Sequence, residues 1–430
     1  TKGAGSVVNG YESISGQINT ELIKPINDIP FFLNAYGSTD SRFELNTHFN
    51  TQLSQKWSSS LFVHGNTRVS KMDQNNDGFM DNPLAKQINV MNRYQYYDAE
   101  KGLVSFINFR YMNDKKQSGE VDFDPDRDRG ATNRWGSEIN TQRLDLATKV
   151  GYVFKDMPFQ SIGFQNAFTL HNQNSYYGLN VYDIKQNSFY SNLIFNSIIN
   201  NTKHKFATGI NFAYDNYNEF VGLTDYGRVD NSVGAFFEYT YDNDDNFSLV
   251  LGGRVDNHNR LGTFVTPRLH LRYNPWEKSV LRFSAGRGKR AANIFAENQS
   301  LFASSRTFSI LDTDGKIYGL NPEIAWNYGL SFNQKFQLFG RNGDAGFDLY
   351  RTDFQNQAVV DVMQSPQQVL FYNLKGKSYA TSLQIEFNYE LANRFSLRSA
   401  YKYYDIQTQY LSGVYQRPLQ AKHRFFGNLE

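Results

Sequence analysis

Apolar and polar residues alternate with a period of two in many segments between residue 31 and the end of the chain. In one of these segments the apolar set is Leu383, Ile385, Phe387 and Tyr389, and the polar set between them is Gln384, Glu386 and Asn388. Successive side chains of a β-strand point to opposite faces, so this pattern predicts strands with one apolar and one polar face. There are about eighteen such segments, most of them near the ~10 residues that a tilted strand needs to cross a bilayer.

The connections between these segments fall into two classes that alternate along the chain. Short turns are predicted at residues 98–102, 155–158, 200–203, 242–246, 274–278, 340–343 and 390–394. Longer polar loops are predicted at residues 70–89, 113–136, 172–187, 217–228 and 288–321. Such sorting is typical of outer-membrane β-barrels, whose periplasmic turns are short and whose extracellular loops are long. A soluble sandwich or propeller has no reason to sort its loops in this way.

The composition supports the same fold. The 430 residues include 36 Phe, 28 Tyr and 4 Trp, although the mean hydropathy is −0.58. An apolar outer face with aromatic girdles around a polar interior explains both values. No stretch reaches the ~20 consecutive apolar residues of a transmembrane helix. We therefore predict an all-β protein, a transmembrane antiparallel β-barrel.

Charge and motifs argue against several other functions. The 44 Lys and Arg residues are balanced by 42 Asp and Glu residues, so the net charge of +2 gives no indication of nucleic-acid binding. There is no Cys, which excludes disulfides and thiolate metal sites. The seven His residues lack metal-site spacing, and the Gly-rich stretch at 285–288 lacks the third Gly and the βαβ context of a dinucleotide loop. No catalytic grouping is found, so we do not expect an enzyme.

Four stretches occur in an order that identifies a family. Residues 3–25 are a Gly-rich run, GAGSVVNGYESISGQINTELIKP. The others are LGGRVDNH with TPRLHLRYNP (251–258 and 266–275), RFSAGRGKRAANIFAEN (282–298) and LNPEIAWNYGLSF (320–332). Together they resemble the end of the plug domain and three barrel motifs of TonB-dependent outer-membrane receptors. The resemblance extends over essentially the whole chain.

The resemblance implies an organisation and a function. Barrels of this family have about 22 strands, so about eighteen here would form an incomplete barrel at residues 29–430. Residues 1–28 would be the C-terminal end of the plug, inside the barrel. The whole protein would import a scarce, bulky solute across the outer membrane of a Gram-negative bacterium. The TonB energy-transducing complex would drive import through a segment preceding Thr1, and the barrel would contact lipid and lipopolysaccharide.

The resemblance leaves the solute open. An iron–siderophore complex, cobalamin or another metal chelate is expected, and the modest loop lengths argue mildly against oligosaccharides. The alternative is a passive porin or an adhesin-type barrel. Residues 3–25 discriminate between the two, because a porin begins with a barrel strand rather than with a plug.

One loop resembles a calcium-binding sequence. Oxygen ligands are expected at alternate positions of this loop, from Asp73, Asn75, Asp77, Phe79 (through its carbonyl group) and Asp81, with Gly78 at the sharp turn. Leu84 stands where an EF-hand has its bidentate Glu, so ligands from the next loop are needed, and Asp122, Asp124 and Asp126 are the candidates. No cofactor is required, and calcium is the candidate ion. The alternative is a solvated turn in which Asp and Asn side chains cap the backbone.

Three basic residues lie where a strand opens into the longest predicted loop. They are Arg287, Lys289 and Arg290. A cationic rim at this position would attract an anionic chelate. The alternative is a rim that faces the phosphates of lipopolysaccharide.

Overall fold

The computed structural model describes residues 3–430, and nearly all of the regular structure is β-sheet. The strands are β1 (Phe31–Gly37), β2 (Arg42–Gln52), β3 (Trp57–Arg68), β4 (Leu84–Asp98), β5 (Leu103–Gly119), β6 (Gly136–Val153), β7 (Ser161–Tyr177), β8 (Asn180–Ile199), β9 (Asn201–Val221), β10 (Thr224–Asp225), β11 (Arg228–Asp242) and β12 (Phe247–His258). They continue with β13 (Gly262–Tyr273), β14 (Ser279–Arg290), β15 (Thr307–Ile310), β16 (Glu323–Leu338), β17 (Arg341–Asn356), β18 (Ala358–Asp361), β19 (Gln368–Asn373), β20 (Ser378–Ala392), β21 (Phe395–Tyr410), β22 (Gly413–Gln416) and β23 (His423–Leu429).

Twenty strands form one antiparallel sheet in which chain neighbours pair with each other. Two of the twenty, β10 and β22, are short strands that pair with the ends of β9 and β21, and the other eighteen make the barrel wall. Among the described strands β1 pairs with β2 and β23 pairs with β21, so the sheet keeps two free edges. The prediction of an all-β barrel with about eighteen strands is confirmed.

The two faces of the wall differ as the alternation predicts. On β20 the side chains of Ile385 and Phe387 are exposed on the outer face, while Gln384 and Glu386 line a cavity on the lumen side. On β11 the buried lumen-facing residues alternate with exposed ones such as Val233 and Phe237. One face therefore offers apolar side chains to lipid, and the other builds a polar interior.

The connections alternate between a turn end and a loop end of the barrel. The turn end carries short links such as 99–102, 243–246 and 393–394, and the loop end carries 69–83, 120–135, 291–322 and 357–377. The parity prediction is confirmed for the turn end and for part of the loop end, where the links at 38–41, 178–179 and 259–261 are short. Two predicted loops are wrong. Residues 172–187 are the paired ends of β7 and β8, joined by a tight turn at Gly178, and most of 217–228 is strand. The polar residues predict loops there, but the strands extend well past the apolar band.

Inserted structure packs against the inner wall at the loop end. A 3-10 helix (Ala296–Ala303) and a three-stranded sheet of β15, β19 and β18 pack on the inner wall through an aromatic cluster around Phe295 and Phe302. A single-turn helix, α1 (Pro125–Asp128), lies in the loop after β5. Within residues 3–430 no helix is long and apolar enough to span a membrane.

Candidate functional site

Residues 3–17 lie in the barrel lumen rather than in the wall. Within them a 3-10 helix (Val7–Asn9) begins at Ser6, whose hydroxyl group caps the amide of Val8. The carbonyl of Val7 accepts a hydrogen bond from Arg254 Nη1 at 3.1 Å, and that of Val8 accepts one from Asn192 Nδ2 at 3.0 Å. The Ser6 hydroxyl also donates to Glu238 Oε2 at 2.7 Å. Side chains of three different strands thus hold this segment inside the barrel.

Glycines in the wall make room for the apolar side chains of this segment. A Cβ atom at Gly252 would lie 2.9 Å from Val7, and one at Gly286 would lie 2.5 Å from the Cβ of Ala4. A third, at Gly288, would lie 2.7 Å from Ile14. Ala4 and Val7 are fully buried as a result. The wall is therefore shaped to this segment, and glycine is required because any Cβ would displace it.

A buried ion pair in the wall contacts the lumen segment at Val7. Arg254 donates from Nε to both carboxylate oxygens of Asp256, at 2.9 and 2.8 Å, and a further bond joins Arg254 to Asn211. The two charged side chains are completely buried. The two side chains can meet because residues two apart on a β-strand point to the same face of the sheet. With its charge balanced, Arg254 holds the carbonyl of Val7 in an interior without solvent.

The inserted loop at 291–322 is tied to the wall by a second buried network. Arg228 Nη1 donates to Glu219 at 3.1 Å and to the Tyr318 hydroxyl at 2.8 Å, and Tyr318 donates to Glu219. Burial, and then the charge of Glu219, raise the pKa of Tyr318, so its hydroxyl group stays protonated and remains a donor. Arg228 also contacts Asn293. The loop is therefore anchored at both of its ends over the barrel mouth.

A cavity lies beside the lumen segment. It has a volume of 430 Å³ and lies between residues 6–17 and the inner faces of β7, β8, β9 and β11. Hydroxyl groups and one wall carboxylate, Asp215, contribute to its lining. The segment therefore narrows the lumen and leaves this cavity beside it.

The three predicted rim residues do not act together. Arg290 is held by two carboxylates, Glu323 at 2.7 Å and Glu297 at 2.8 Å. Lys289 is buried, donates to the carbonyl of Leu261 and lies over the ring of Phe264. Arg287 donates to Gln355 and to the carbonyl of Val265. Each of the three residues already has a partner, and the prediction of a shared anion-binding rim stays untested.

The predicted calcium loop folds onto its own backbone. Asp73 accepts from the amides of Asp77 and Gly78, Asp77 accepts from the amide of Phe79, and Asp81 accepts from the amide of Gln74. Asn75 bonds to Asp77 at 2.9 Å. These are the contacts of an Asp- and Asn-capped turn, the alternative reading of this sequence.

The structure brings the second predicted loop alongside the first. The backbones are joined by bonds from Met80 to Gly119 and from Val121 to Gly78. However, Asp122 faces Arg134, and Asp124 caps α1 by accepting from the amide of Asp126. Within residues 3–430 no three acidic or His side chains are arranged to hold a metal ion. Calcium binding remains a prediction.

Comparison with known proteins identifies the chain. Residues 76–427 match the family model described as TonB dependent receptor-like, beta-barrel. The chain belongs to this family. No curated protein sequence matches it.

Solved structures similar to this receptor barrel share its fold at low sequence identity. The ferripyoverdine receptor of the outer membrane of Pseudomonas aeruginosa is 13% identical, with a TM-score of 0.70, over 100% of this chain and 62% of that one. The alcaligin receptor FauA from Bordetella pertussis is 13% identical, with a TM-score of 0.66, over 99% and 69%. The siderophore receptor PiuA from Acinetobacter baumannii is 13% identical, with a TM-score of 0.65, over 95% and 68%. This chain spans about 62–65% of the length of several of its structural relatives.

Sequence reasoning missed the residues that hold the lumen segment of this receptor. Arg254 and Asp256 stand in the motif used to recognise the family, yet their role depends on Val7, which is far away in the chain. One signal was available: an Arg followed two residues later by an Asp recurs at 143/145, 228/230 and 254/256, and each is an ion pair on the lumen face. The assignment of residues 1–28 as the end of a plug stays a prediction, and residues 1 and 2 lie outside the described part of the chain.

Calcium binding can be tested directly. We expect the full-length receptor to bind calcium at millimolar concentration or below and the Asp77→Ala variant to lose this binding, because fewer anionic oxygens would remain in the loop. Isothermal titration calorimetry, with protease sensitivity of residues 70–83, measures the effect. Asp245→Ala, in a turn at the opposite end, is the control. Equal binding by wild type and Asp77→Ala, or no binding by either, would contradict the prediction.

The loop at 120–135 should respond to acid. Asp128 is buried and accepts from Arg127 at 2.7 and 2.8 Å and from the amide of Asp124 at 2.9 Å, which together hold its pKa well below the ordinary value. Its contribution to loop stability is therefore complete above the unfolded pKa of about 3.9 and is lost as the pH falls toward the lower folded pKa. We expect proteolysis in this loop to rise below about pH 4. Asp128→Asn should remove this pH dependence.

Proposed function

We propose that the protein imports a scarce, bulky solute across the outer membrane of a Gram-negative bacterium, with energy from TonB. The observation that carries this proposal is the lumen segment, residues 3–17, which the wall fits through Gly252 and Gly286. In a passive porin the lumen is a water-filled channel, whereas an energised importer needs a closed lumen that can be opened. The membrane location rests on the apolar outer face and on the outer-membrane relatives.

An iron–siderophore complex is the solute we favour. The similar structures include receptors for ferripyoverdine and alcaligin, although at 13% identity they support the fold alone. Cobalamin or another metal chelate is the second choice. The arrangement suggests no bond-making chemistry, and we propose that the protein is a transporter rather than an enzyme.

Uptake measurements test this proposal. Cells that depend on the full-length receptor should accumulate iron-55 supplied as a set of siderophore complexes, and accumulation should stop when TonB is deleted or the proton gradient is dissipated. A receptor with Tyr318→Phe, which removes one anchor of the loop at 291–322 but keeps the ring, is a useful comparison. Accumulation that persists without TonB would instead support the porin alternative. Accumulation of cobalamin instead of iron would show that the imported solute is different but that import is still driven by TonB.

A further inference from the structure

The strand β8 reverses its polarity toward the loop end of the barrel. In its middle the exposed apolar residues are Phe189 and Leu193, which occupy odd positions on the outer face. Nearer the loop end the apolar residues are Tyr182 and Ile184, which occupy even positions and are buried. Because successive side chains of a strand point to opposite faces, the apolar face of β8 changes from the lipid side to the lumen side.

The strand β7 changes in the same way. Leu170 is exposed on the outer face, and Asn172 and Asn174 follow on that face toward the loop end. Tyr177, on the opposite face, belongs to the buried aromatic cluster. The loop-end parts of both strands therefore have a polar outer face and an apolar inner face. Such an inner face is stable in water only when apolar side chains cover it.

The inserted residues 291–322 cover this inner face. They connect β14 to β16, in a different part of the sheet. The ring of Phe302 lies 5.8 Å from the ring of Tyr177 and 5.3 Å from that of Tyr182. Asn180, at the start of β8, donates from Nδ2 to the carbonyl oxygen of Phe302 at 2.8 Å. The insert thus connects two parts of the wall that are several strands apart.

A second insert, residues 357–377, packs on the first. β15 of the first insert pairs in parallel with β19 of the second. Arg306 also donates from Nη1 to the carbonyl oxygen of Val362 at 2.8 Å. Movement of residues 291–322 away from the wall would therefore break the contacts of both inserts.

We propose that residues 291–322 are a fixed brace of the loop-end wall, which stays docked on β7 and β8 while the solute passes beside it. This proposal rests on the import function proposed above. Undocking would expose the buried rings of Phe295 and Phe302 to water, together with the apolar inner face of the two strands. The passage must then open through movement of other parts of the receptor.

A reducible cross-link between the brace and the wall tests whether the brace stays docked. Gln173 Nε2 and Gln299 Oε1 lie 3.1 Å apart, and the chain contains no Cys. In the full-length receptor with Gln173→Cys and Gln299→Cys, a short bis-thiosulfonate reagent can therefore join the two thiols. We expect cells to accumulate iron-55 siderophore complexes at rates that agree within a factor of about two before and after reduction of the link. The single variant Gln299→Cys, treated with the same reagent, is the control.

The possible outcomes separate the brace from the import function. Accumulation that stops on cross-linking and returns on reduction, with the single variant unaffected, would overturn the brace and leave the import function intact. Absence of TonB-dependent accumulation in both states would contradict the import function and, with it, this proposal. Peptide mass spectrometry verifies that the link has formed.

Hydrogen exchange tests whether the insert supports the strand ends. Phe302→Ala removes the ring that packs on Tyr177 and Tyr182, so the amides of residues 172–187 should exchange at least tenfold faster in detergent. Phe189→Ala, on the outer face of β8, is the matched control and should leave these exchange rates unchanged. Heat-modifiable migration on electrophoresis verifies that each barrel is folded. Equal exchange in wild type and in Phe302→Ala would overturn the proposal.

Discussion

Replacing Gly252 with valine should release the lumen segment from the wall. The new Cβ would lie 2.9 Å from Val7, which is fully buried, so either the segment or the strand must move. Overpacking of this kind costs about 1–3 kcal/mol, and a displaced Val7 also loses its bond from Arg254. We expect the segment to be displaced in a large fraction of molecules, because it is held by few contacts and the strand is held by a full ladder of hydrogen bonds.

Labelling of a single cysteine measures this displacement. The chain contains no Cys, so Ala4→Cys provides one reactive position that is fully buried when the segment is in place. Reaction with a maleimide should be at least tenfold faster in the Gly252→Val background. Gly253→Val is the matched control, because a Cβ there meets none of the described residues within 4 Å. Equal labelling rates in the two backgrounds would show that the wall glycine does not hold the segment.

Asp256→Ala should strongly destabilise the wall. It would leave Arg254 charged and completely buried without its carboxylate. Breaking a buried ion pair by removing one partner costs about 3–5 kcal/mol, because the remaining charge is not compensated. The loss should appear as a lower midpoint of urea unfolding, followed by tryptophan fluorescence in detergent.

Asp353→Ala is the control for this prediction. Arg351 and Asp353 have the same two-residue spacing, but both side chains are 45% exposed. Exposed pairs contribute about 0–1 kcal/mol, so this variant should unfold almost as wild type does. Similar losses of stability in the two variants would mean that burial does not determine how much these ion pairs stabilise the barrel.

The sequence by itself determined the strands and their order. The two-residue period of a strand depends only on local backbone geometry, because successive side chains point to opposite faces of the sheet. The apolar residues of each strand must then face lipid. Turn residues marked the ends of hairpins, because a turn also depends on the local backbone alone. The same local information also gave the family, since its motifs lie within single strands and hairpins. Arg–x–Asp pairs were equally visible, because both residues lie on one strand face.

Only the tertiary structure decided how distant segments meet. The length of the loop-end strands was misjudged at 172–187, because polar strands and polar loops look alike when the backbone partner is unknown. The fit of Val7 to Gly252 joins residues that are far apart in the chain, and so does the bond of Tyr318 to Glu219. Nothing in the local pattern specifies such contacts. They depend on how the curved sheet surrounds the lumen, and this shape is a property of all its strands together.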